Sequence, residues 1–301
     1  MLLMAGAVTA CGSRQYATRV LPSIASRLAT NERKFAFAVL EVPGAQRTVA
    51  SGIDRDGQIV GYYGDSAGAT HGFLFRAGTY ETIDFTGAAF TQAFGIGASG
   101  EIVGSYRLAG EPVLNFHGFR RSRDGRFARV DSPGHLNTIA QRILSDGTIL
   151  GCRHDNDFGA SMKGVVFGGH ANQEVEAFGS MDNGATPDLR RIVGLYNYGP
   201  ADHSSAFVID DGVFRPLAVP GSMGASAWDV NPAGEIVGSY RDSTSVHGFL
   251  LTADGFTTID APNAAMTHAF GINVAGAVVG SFVTNGHTYG FLATPSRRGG
   301  S

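Results

Sequence analysis

The sequence predicts an all-β protein, a six-bladed β-propeller of four-stranded blades closed by an N-terminal strand that completes the last blade. Three observations predict this fold. One unit of roughly 43 residues recurs six times, each unit holds about four short strand patterns, and the first strand pattern of the body matches the one that the last unit lacks.

The repeat is defined by an Ile-Val-Gly block that recurs with a nearly constant spacing. Its glycines are Gly61, Gly104, Gly151, Gly194, Gly238 and Gly280. A second anchor, His-Gly-Phe in its best copies, follows each block, as at 71–73, 117–119 and 247–249. A third anchor, an aromatic residue followed by Ile-Asp or a nearby proline, lies at 80–84, 127–133, 214–220 and 256–262. Three anchors in register establish the internal repeat.

Strand positions follow from alternation and turn residues. In the last unit we predict strands at 267–273, 277–282 and 289–293, with a longer loop before the third. The chain then ends without a fourth strand pattern, and the segment 37–43 supplies it at the start of the body. A ring closed in this way over residues 35–293 leaves no long unpaired edge. The fourth unit departs from the repeat at 179–187, and its first strand is expected to be short or irregular.

The N-terminal segment predicts export. Residues 2–10 are apolar and end in small residues, and Val8-Thr9-Ala10-Cys11 resembles the lipobox of bacterial lipoproteins, in which the cysteine is lipidated. No Lys or Arg precedes Cys11, a departure from that pattern. We therefore interpret 1–11 as a signal segment, 12–34 as a tether and 294–301 as a disordered tail, with plain secretion and no export as the alternatives. The expected location is the outer membrane, the periplasm or the cell exterior.

Composition excludes several classes of protein. The net charge of −3 and the pI of about 6.3 argue against a nucleic-acid-binding surface. The chain has no apolar run of 18 residues, so we expect membrane contact only through the lipid anchor. If Cys11 is lipidated, Cys152 is a free and buried thiol rather than half of a disulfide. We expect a monomer.

The repeat blocks resemble a known bacterial family. Ala93-Phe94-Gly95-Ile96, Glu101–Tyr106 and His247–Leu250 are similar to the HAF repeat, named for a His-Ala-Phe segment that here reads His-Gly-Phe in the best copies. The resemblance implies an exported bacterial repeat protein without an assigned biochemical role. It supplies no catalytic residues.

Repeated polar residues predict structure, and unrepeated ones are the better candidates for a site. His71, His117 and His247 recur together with Asp84, Asp131 and Asp260, which favours a structural role in each blade. The densest unrepeated cluster is Arg153-His154-Asp155-Asn156-Asp157, in a loop between the second and third strands. With His203 and His135 it could form a metal or acid–base site. A solvated loop is the alternative.

A further set consists of aromatic residues two positions after the repeat glycines. They are Tyr63, Tyr106, Tyr196, Tyr240 and Phe282, with Arg153 in the third unit. Tyrosines at the bases of loops could stack on a sugar or a peptide, and packing between blades is the alternative. Arg241 follows one of them and is added to the candidate binding residues.

The sequence favours a non-catalytic binding module that recognises a glycan, a peptide or a protein through its variable loops. The alternative is an extracytoplasmic propeller enzyme, a lactonase-like hydrolase or a lyase, that uses Asp155, Asp157, His154 and His203. No cofactor is predicted for the binding module. A divalent metal belongs to the enzyme alternative.

Replacing Cys11→Ser tests the export prediction. The variant lacks the thiol that would carry the lipid, so we expect it to leave the membrane fraction in detergent phase partition and to lose any globomycin-sensitive processing. A variant that partitions like the wild type contradicts lipidation at Cys11.

Overall fold

The structure, a computed structural model, describes residues 33–155, 161–168, 173–175, 179–196 and 204–296. These residues form twenty-four β-strands and no helix, which confirms the all-β prediction. Within them there is accordingly no apolar helix with the length to cross a membrane. The N-terminal segment with Cys11, nearly all of the tether and most of the predicted tail lie outside the described residues.

The strands follow one another along the chain with short connections. Their bounds are β1 Phe35–Leu40, β2 Arg47–Ile53, β3 Ile59–Gly64, β4 Thr70–Arg76, β5 Thr79–Ile83, β6 Ala88–Ile96, β7 Ile102–Leu108, β8 His117–Arg121, β9 Phe127–Val130, β10 Asn137–Ile143, β11 Ile149–His154, β12 Lys163–Phe167, β13 Gln173–Val175, β14 Ser180–Ala185, β15 Arg191–Tyr196, β16 Ser205–Asp210, β17 Val213–Pro216, β18 Gly224–Val230, β19 Ile236–Arg241, β20 Val246–Thr252, β21 Gly255–Ile259, β22 Met266–Ile272, β23 Val278–Thr284 and β24 His287–Pro295.

Consecutive strands pair antiparallel in groups of four, beginning with β2–β5 and ending with β18–β21. The last three strands, β22–β24, take β1 as their fourth, and the register runs from Phe35↔Pro295 to Leu40↔Gly290. The N-terminal strand therefore supplies the strand that the last unit lacks, as predicted. The predicted longer loop before the last strand is wrong, because Asn285 and Gly286 alone connect β23 to β24.

The first strand of each group lies beside its counterparts in the neighbouring groups. Contacts run from β2 through β6, β10, β14 and β18 to β22, and β22 in turn contacts β2. Each of these strands carries a β-bulge opposite its second strand at one common position of the repeat, and β6 has a second register shift near its start. The first strand of the fourth unit, β14, has six residues, one fewer than the next shortest first strand, and it bulges at the same place as the others; the strand is short, as expected, but not irregular.

The first two anchors of the repeat touch each other inside each group. Gly61 lies opposite Phe73 in the register of β3 and β4, and a β-carbon on Gly61 would come within 2.8 Å of the Phe73 ring. The same clash would occur at Gly104, Gly194, Gly238 and Gly280. A first-strand carbonyl oxygen would lie closer still, 1.8–2.2 Å from such a β-carbon in all six groups, so the position requires glycine with or without the ring. In the third group Val165 replaces the phenylalanine.

Arg142 occupies the point where the first strands meet. Its guanidinium group donates hydrogen bonds to carbonyl oxygens of five first strands, belonging to Ser51, Phe94, Gln141, Trp228 and Phe270. Nε lies 3.4 Å from Oδ1 of Asp229, and both side chains are largely buried.

Arg142 and Asp229 stand at one and the same position of the repeat, directly after the bulge. The other four groups have glycine there, at Gly52, Gly95, Gly184 and Gly271. A β-carbon on Gly52 would lie 2.7 Å from the carbonyl oxygen of Phe94, so the backbones of adjacent groups leave no room for most side chains. The two charged residues therefore form a buried pair that connects groups three and five.

Replacing Arg142→Met should lower the free energy of unfolding by about 3–5 kcal/mol, because it leaves the Asp229 carboxylate and inward carbonyl groups without their cation. Chemical denaturation measures the effect, and a cycle with Asp229→Asn isolates the coupling between the two side chains. Arg126→Met, at an exposed turn, is the matched control and should change stability by less than about 0.5 kcal/mol. A loss below about 1 kcal/mol for Arg142→Met contradicts this role.

Candidate functional site

One end of the molecule carries the connections that vary most; we call it the variable-loop face. It comprises the loops between second and third strands and the connections from one group to the next. Fully described loops range from two residues, 285–286, to eight, 109–116. The opposite end holds the short hairpins. Variable loops on a fixed scaffold are the usual place for binding residues.

The repeated histidines each bridge two carboxylates on this face. Nδ1 of His71 lies 2.9 Å from Oδ1 of Asp84, and its Nε2 lies 3.4 Å from Oδ2 of Asp65. His247 makes the same contacts with Asp260 at 2.8 Å and Asp242 at 3.3 Å. One carboxylate follows the fourth strand and the other belongs to the loop before the third strand.

His117 forms a third bridge of the same kind. Its Nε2 lies 3.0 Å from Glu111 in the loop, and its Nδ1 lies 3.5 Å from Asp131. These contacts support the predicted structural role of the repeated His and Asp. Each histidine connects the loop before its strand to the end of the fourth strand in the same group.

The bridges shift the protonation of their members. Partial burial lowers the pKa of His71, but the hydrogen bonds and charges of Asp84 and Asp65 outweigh it, and the net pKa is raised. Hydrogen bonds from the Ala69 and Ala67 backbone and from His71 hold the pKa of Asp65 below its usual value. The pKa of Asp242 is likewise lowered, because its carboxylate accepts hydrogen bonds from Thr244 and Ser245. These acids stay ionised and fix the loop backbone.

The predicted tyrosines lie within their own groups. The hydroxyl groups of Tyr63 and Tyr240 form hydrogen bonds with Thr82 and Thr258 on the fourth strands, at 3.0 and 3.1 Å. Tyr106 is fully buried and stacks on Phe85.

Two other candidates have similar surroundings. Tyr196 packs edge-on against Phe214. Arg241 lines a cavity of about 80 Å³ beside Tyr240. Neither set of contacts tests whether these side chains bind a ligand, which stays a prediction.

Arg153 replaces the tyrosine in the third group, and its partner is replaced as well. Its guanidinium group donates to Oε1 of Glu174, which stands at the fourth-strand position that Thr82 holds in the first group. It also donates to the carbonyl oxygen of Ser161. An ion pair here takes the place of the Tyr–Thr hydrogen bond.

The polar cluster that follows is brought together only in part, because Asp157 and His203 lie outside the described residues. Asp155 accepts a hydrogen bond from the Leu136 backbone and lies 3.2 Å from Nδ1 of His135. These bonds hold its pKa below the usual value. His154 contacts the carbonyl oxygen of Asp155. Among the described residues no three His, Cys, Asp or Glu side chains are placed to hold a metal ion.

Two buried groups were not identified as a pair from the sequence. Cys152 is buried and makes no disulfide in the described part of the chain. Burial and the nearby Asp182 raise the pKa of its thiol, and burial raises the pKa of the Asp182 carboxyl well above its usual value. Asp182 stands where the other five groups have alanine, and burial disfavours the charged forms of both side chains.

A pocket at the centre of the variable-loop face was not predicted. It has a volume of about 160 Å³ and is lined mainly by residues of the first strands, among them Phe94, Ile139, Met181, Trp228 and Phe270. The adjoining smaller cavity contains Ser239, whose Oγ lies 3.1 Å from Nδ1 of His268. The sequence holds little signal for the pocket, because its lining residues differ between most units; among them Phe94 and Phe270 share a repeat position and a side chain.

Comparison with solved structures identifies the fold as a β-propeller. The gluconolactonase XC5397 from Xanthomonas campestris aligns at 16% identity with a TM-score of 0.53, over 87% of this chain and 90% of that one. The β-propeller domain of the Trilobed protease from Pyrococcus furiosus, which has an open velcro topology, aligns at 10% identity and 0.50, over 81% and 94%. Regucalcin from Agrobacterium tumefaciens, a calcium-binding protein, aligns at 11% and 0.50, over 92% and 97%.

At these identities the likeness shows the fold alone. The sequence matches no protein-family model and no curated protein. The HAF-repeat resemblance therefore stays a prediction.

Asp84→Asn tests the bridge at His71. The change removes a negative charge, so the pKa of His71 should fall towards its ordinary 6.5, as followed by NMR titration. Because the folded pKa is raised, the bridge stabilises the fold below the unfolded pKa, and this stabilisation is lost as pH rises through the folded value. The variant should be less stable than the wild type by up to about 1 kcal/mol near pH 5, and by less near pH 9. Asp254→Asn, at an exposed turn, is the control, and an unchanged His71 titration contradicts the bridge.

Proposed function

We propose that this chain is a non-catalytic binding module that recognises a peptide or protein partner through the variable-loop face. The observation that carries the proposal is the position of the exposed large hydrophobic residues. Of seven among the described residues, five lie in loops of this face or where strands begin there, namely Val113, Leu114, Leu136, Met223 and Met266. Exposed apolar side chains concentrated at one end of a protein are typical of an interaction site.

The loops that carry these side chains are held in place before any partner arrives. Glu111 fixes the loop 109–116 through the Leu108 backbone and His117, and Arg107 donates to the carbonyl oxygen of Val113. Asp155 holds the Leu136 backbone. Ordering these loops on binding would therefore cost little conformational entropy. A glycan ligand for the tyrosines lacks comparable support, since the hydroxyl groups of Tyr63 and Tyr240 have partners in their own groups.

The proposal includes the ring as a rigid support. We infer six blades, one for each antiparallel group, closed where β1 completes the blade of β22–β24. Support comes from the pairing of β1 with β24, from the contact of β22 with β2, and from Arg142, which bonds to five first strands. For location we propose export, on the lipobox-like segment at Cys11 alone.

The enzyme alternative has weaker support. His154 and Asp155, two of the residues expected to act, hold the loop backbone, and the central pocket has mostly apolar walls. Beside that pocket, the Ser239–His268 contact places a hydroxyl group next to a possible base.

The test uses the full chain and peptides selected against it from a random display library. A selected peptide should bind the wild type saturably in calorimetry, and Val113→Ser with Leu114→Ser should weaken it roughly tenfold or more. Val274→Ser is the matched control, because Val274 is 60% exposed against 71% for Val113 but lies in a hairpin at the opposite end. If the loop variant binds the peptide as tightly as the wild type, or if the control loses binding, the variable-loop face is not the binding site. Lactone hydrolysis that needs Ser239 or added calcium would overturn the non-catalytic reading.

A further inference from the structure

We infer that the central pocket of the variable-loop face is a binding site for a single uncharged aromatic ring. The inference does not depend on the partner proposed above, because it rests on the walls of the pocket rather than on the loops. A free small molecule or an aromatic side chain could present such a ring.

The walls of the pocket are aromatic and aliphatic. Trp228 and Phe270 meet edge-to-face with ring centroids 5.3 Å apart, and Tyr62 and Phe94 meet in the same way at 6.3 Å. These four side chains are partly exposed, so the walls are open to solvent. Edge-to-face pairs leave ring faces free to contact a further ring.

The size of the pocket selects one ring. Its volume is about 160 Å³, and an apolar cavity of roughly 150 Å³ is known to hold one benzene-sized molecule. A disaccharide exceeds that volume. The remaining walls include Ile139 and Met181, which add apolar surface but no charge.

The absence of charged side chains from the described lining of the pocket argues for a neutral ligand. Arg142 lies deeper along the same strands, and its two terminal nitrogens already donate to five carbonyl oxygens. Asp229 balances the charge of this guanidinium group, and no charged side chain among the described residues lines the pocket itself. A carboxylate or an ammonium group would therefore lose its hydration there without gaining an ionic partner. A neutral ring gains the contacts without this penalty.

Trp228 makes the site directly measurable. It is the only tryptophan of the chain and it lines the pocket, so its fluorescence excited at the red edge reports a ligand there. Titration of the full chain with benzyl alcohol should give a saturable change. Benzoate and benzylammonium, which have the same ring and opposite charges, should bind at least roughly tenfold more weakly. The blocked tripeptide Gly-Phe-Gly separates the sources: tighter binding than benzyl alcohol assigns a side-chain ligand, and weaker binding assigns a free molecule.

Two variants fill the pocket. Ile139→Phe adds a ring from β10, and Met181→Phe adds one from β14, so each should weaken benzyl alcohol at least roughly tenfold. Val274→Phe is the matched control, because Val274 is exposed in the hairpin after β22 and is not part of the pocket lining. A filled variant that does not fold is replaced by the other.

The inference is overturned if the wild type gives no saturable change, if benzylammonium or benzoate binds more tightly than benzyl alcohol, or if both filled variants bind like the control. Because benzyl alcohol needs no loop contact, loss of peptide binding in the Val113 and Leu114 variant leaves this result unaffected. The two proposals therefore fail separately.

Discussion

The fold depends on a single cation at the place where its first strands converge. A bulge in each strand turns carbonyl oxygens towards the axis, where neighbouring strands cannot satisfy them and where a buried carbonyl group without a donor is costly. The Arg142 guanidinium group donates hydrogen bonds to five of these carbonyl oxygens, and Asp229 balances its charge. If all six units were identical, they would place the same residue at this position, and one central cation could not arise. The repeat therefore departs from glycine here, at Arg142 and Asp229, where identical units would leave the inward carbonyl groups without a donor.

Residues that recur in the units could be used to predict the fold from the sequence, and residues that differ between the units could not. Strand count, strand order and the place of β1 follow from residues that recur, because Gly61 and Phe73 and their counterparts meet in five of the groups. Arg142 and Asp229 were detectable in principle, as the two non-glycine residues at a position otherwise held by glycine. The central pocket was not, since no periodicity says whether Phe94 or Trp228 points inward at a bulge.

The histidine bridges show how loops of different length can share one scaffold. In groups one, two and five, a histidine in the first two positions of the third strand contacts an acidic side chain on each side, whatever the composition of the loop before that strand. In the other contact between strands two and four, a tyrosine hydroxyl group bonds to a threonine in groups one and five. The third group has an Arg153–Glu174 ion pair at the same place. Loop length and loop composition can therefore vary without disturbing the strands below. This explains why His71 and Asp84 recur together.

The register of β1 on β24 has a mechanical consequence. Phe35 and Pro295 lie directly opposite each other, and the Lys34 carbonyl accepts a hydrogen bond from the Ser296 backbone. A force applied between the two ends of the folded body would therefore open this ladder one hydrogen bond after another, as a zipper opens, rather than load all of its bonds together in shear. Tension would detach β1 first, and the group that β1 completes would be the first part of the molecule to yield.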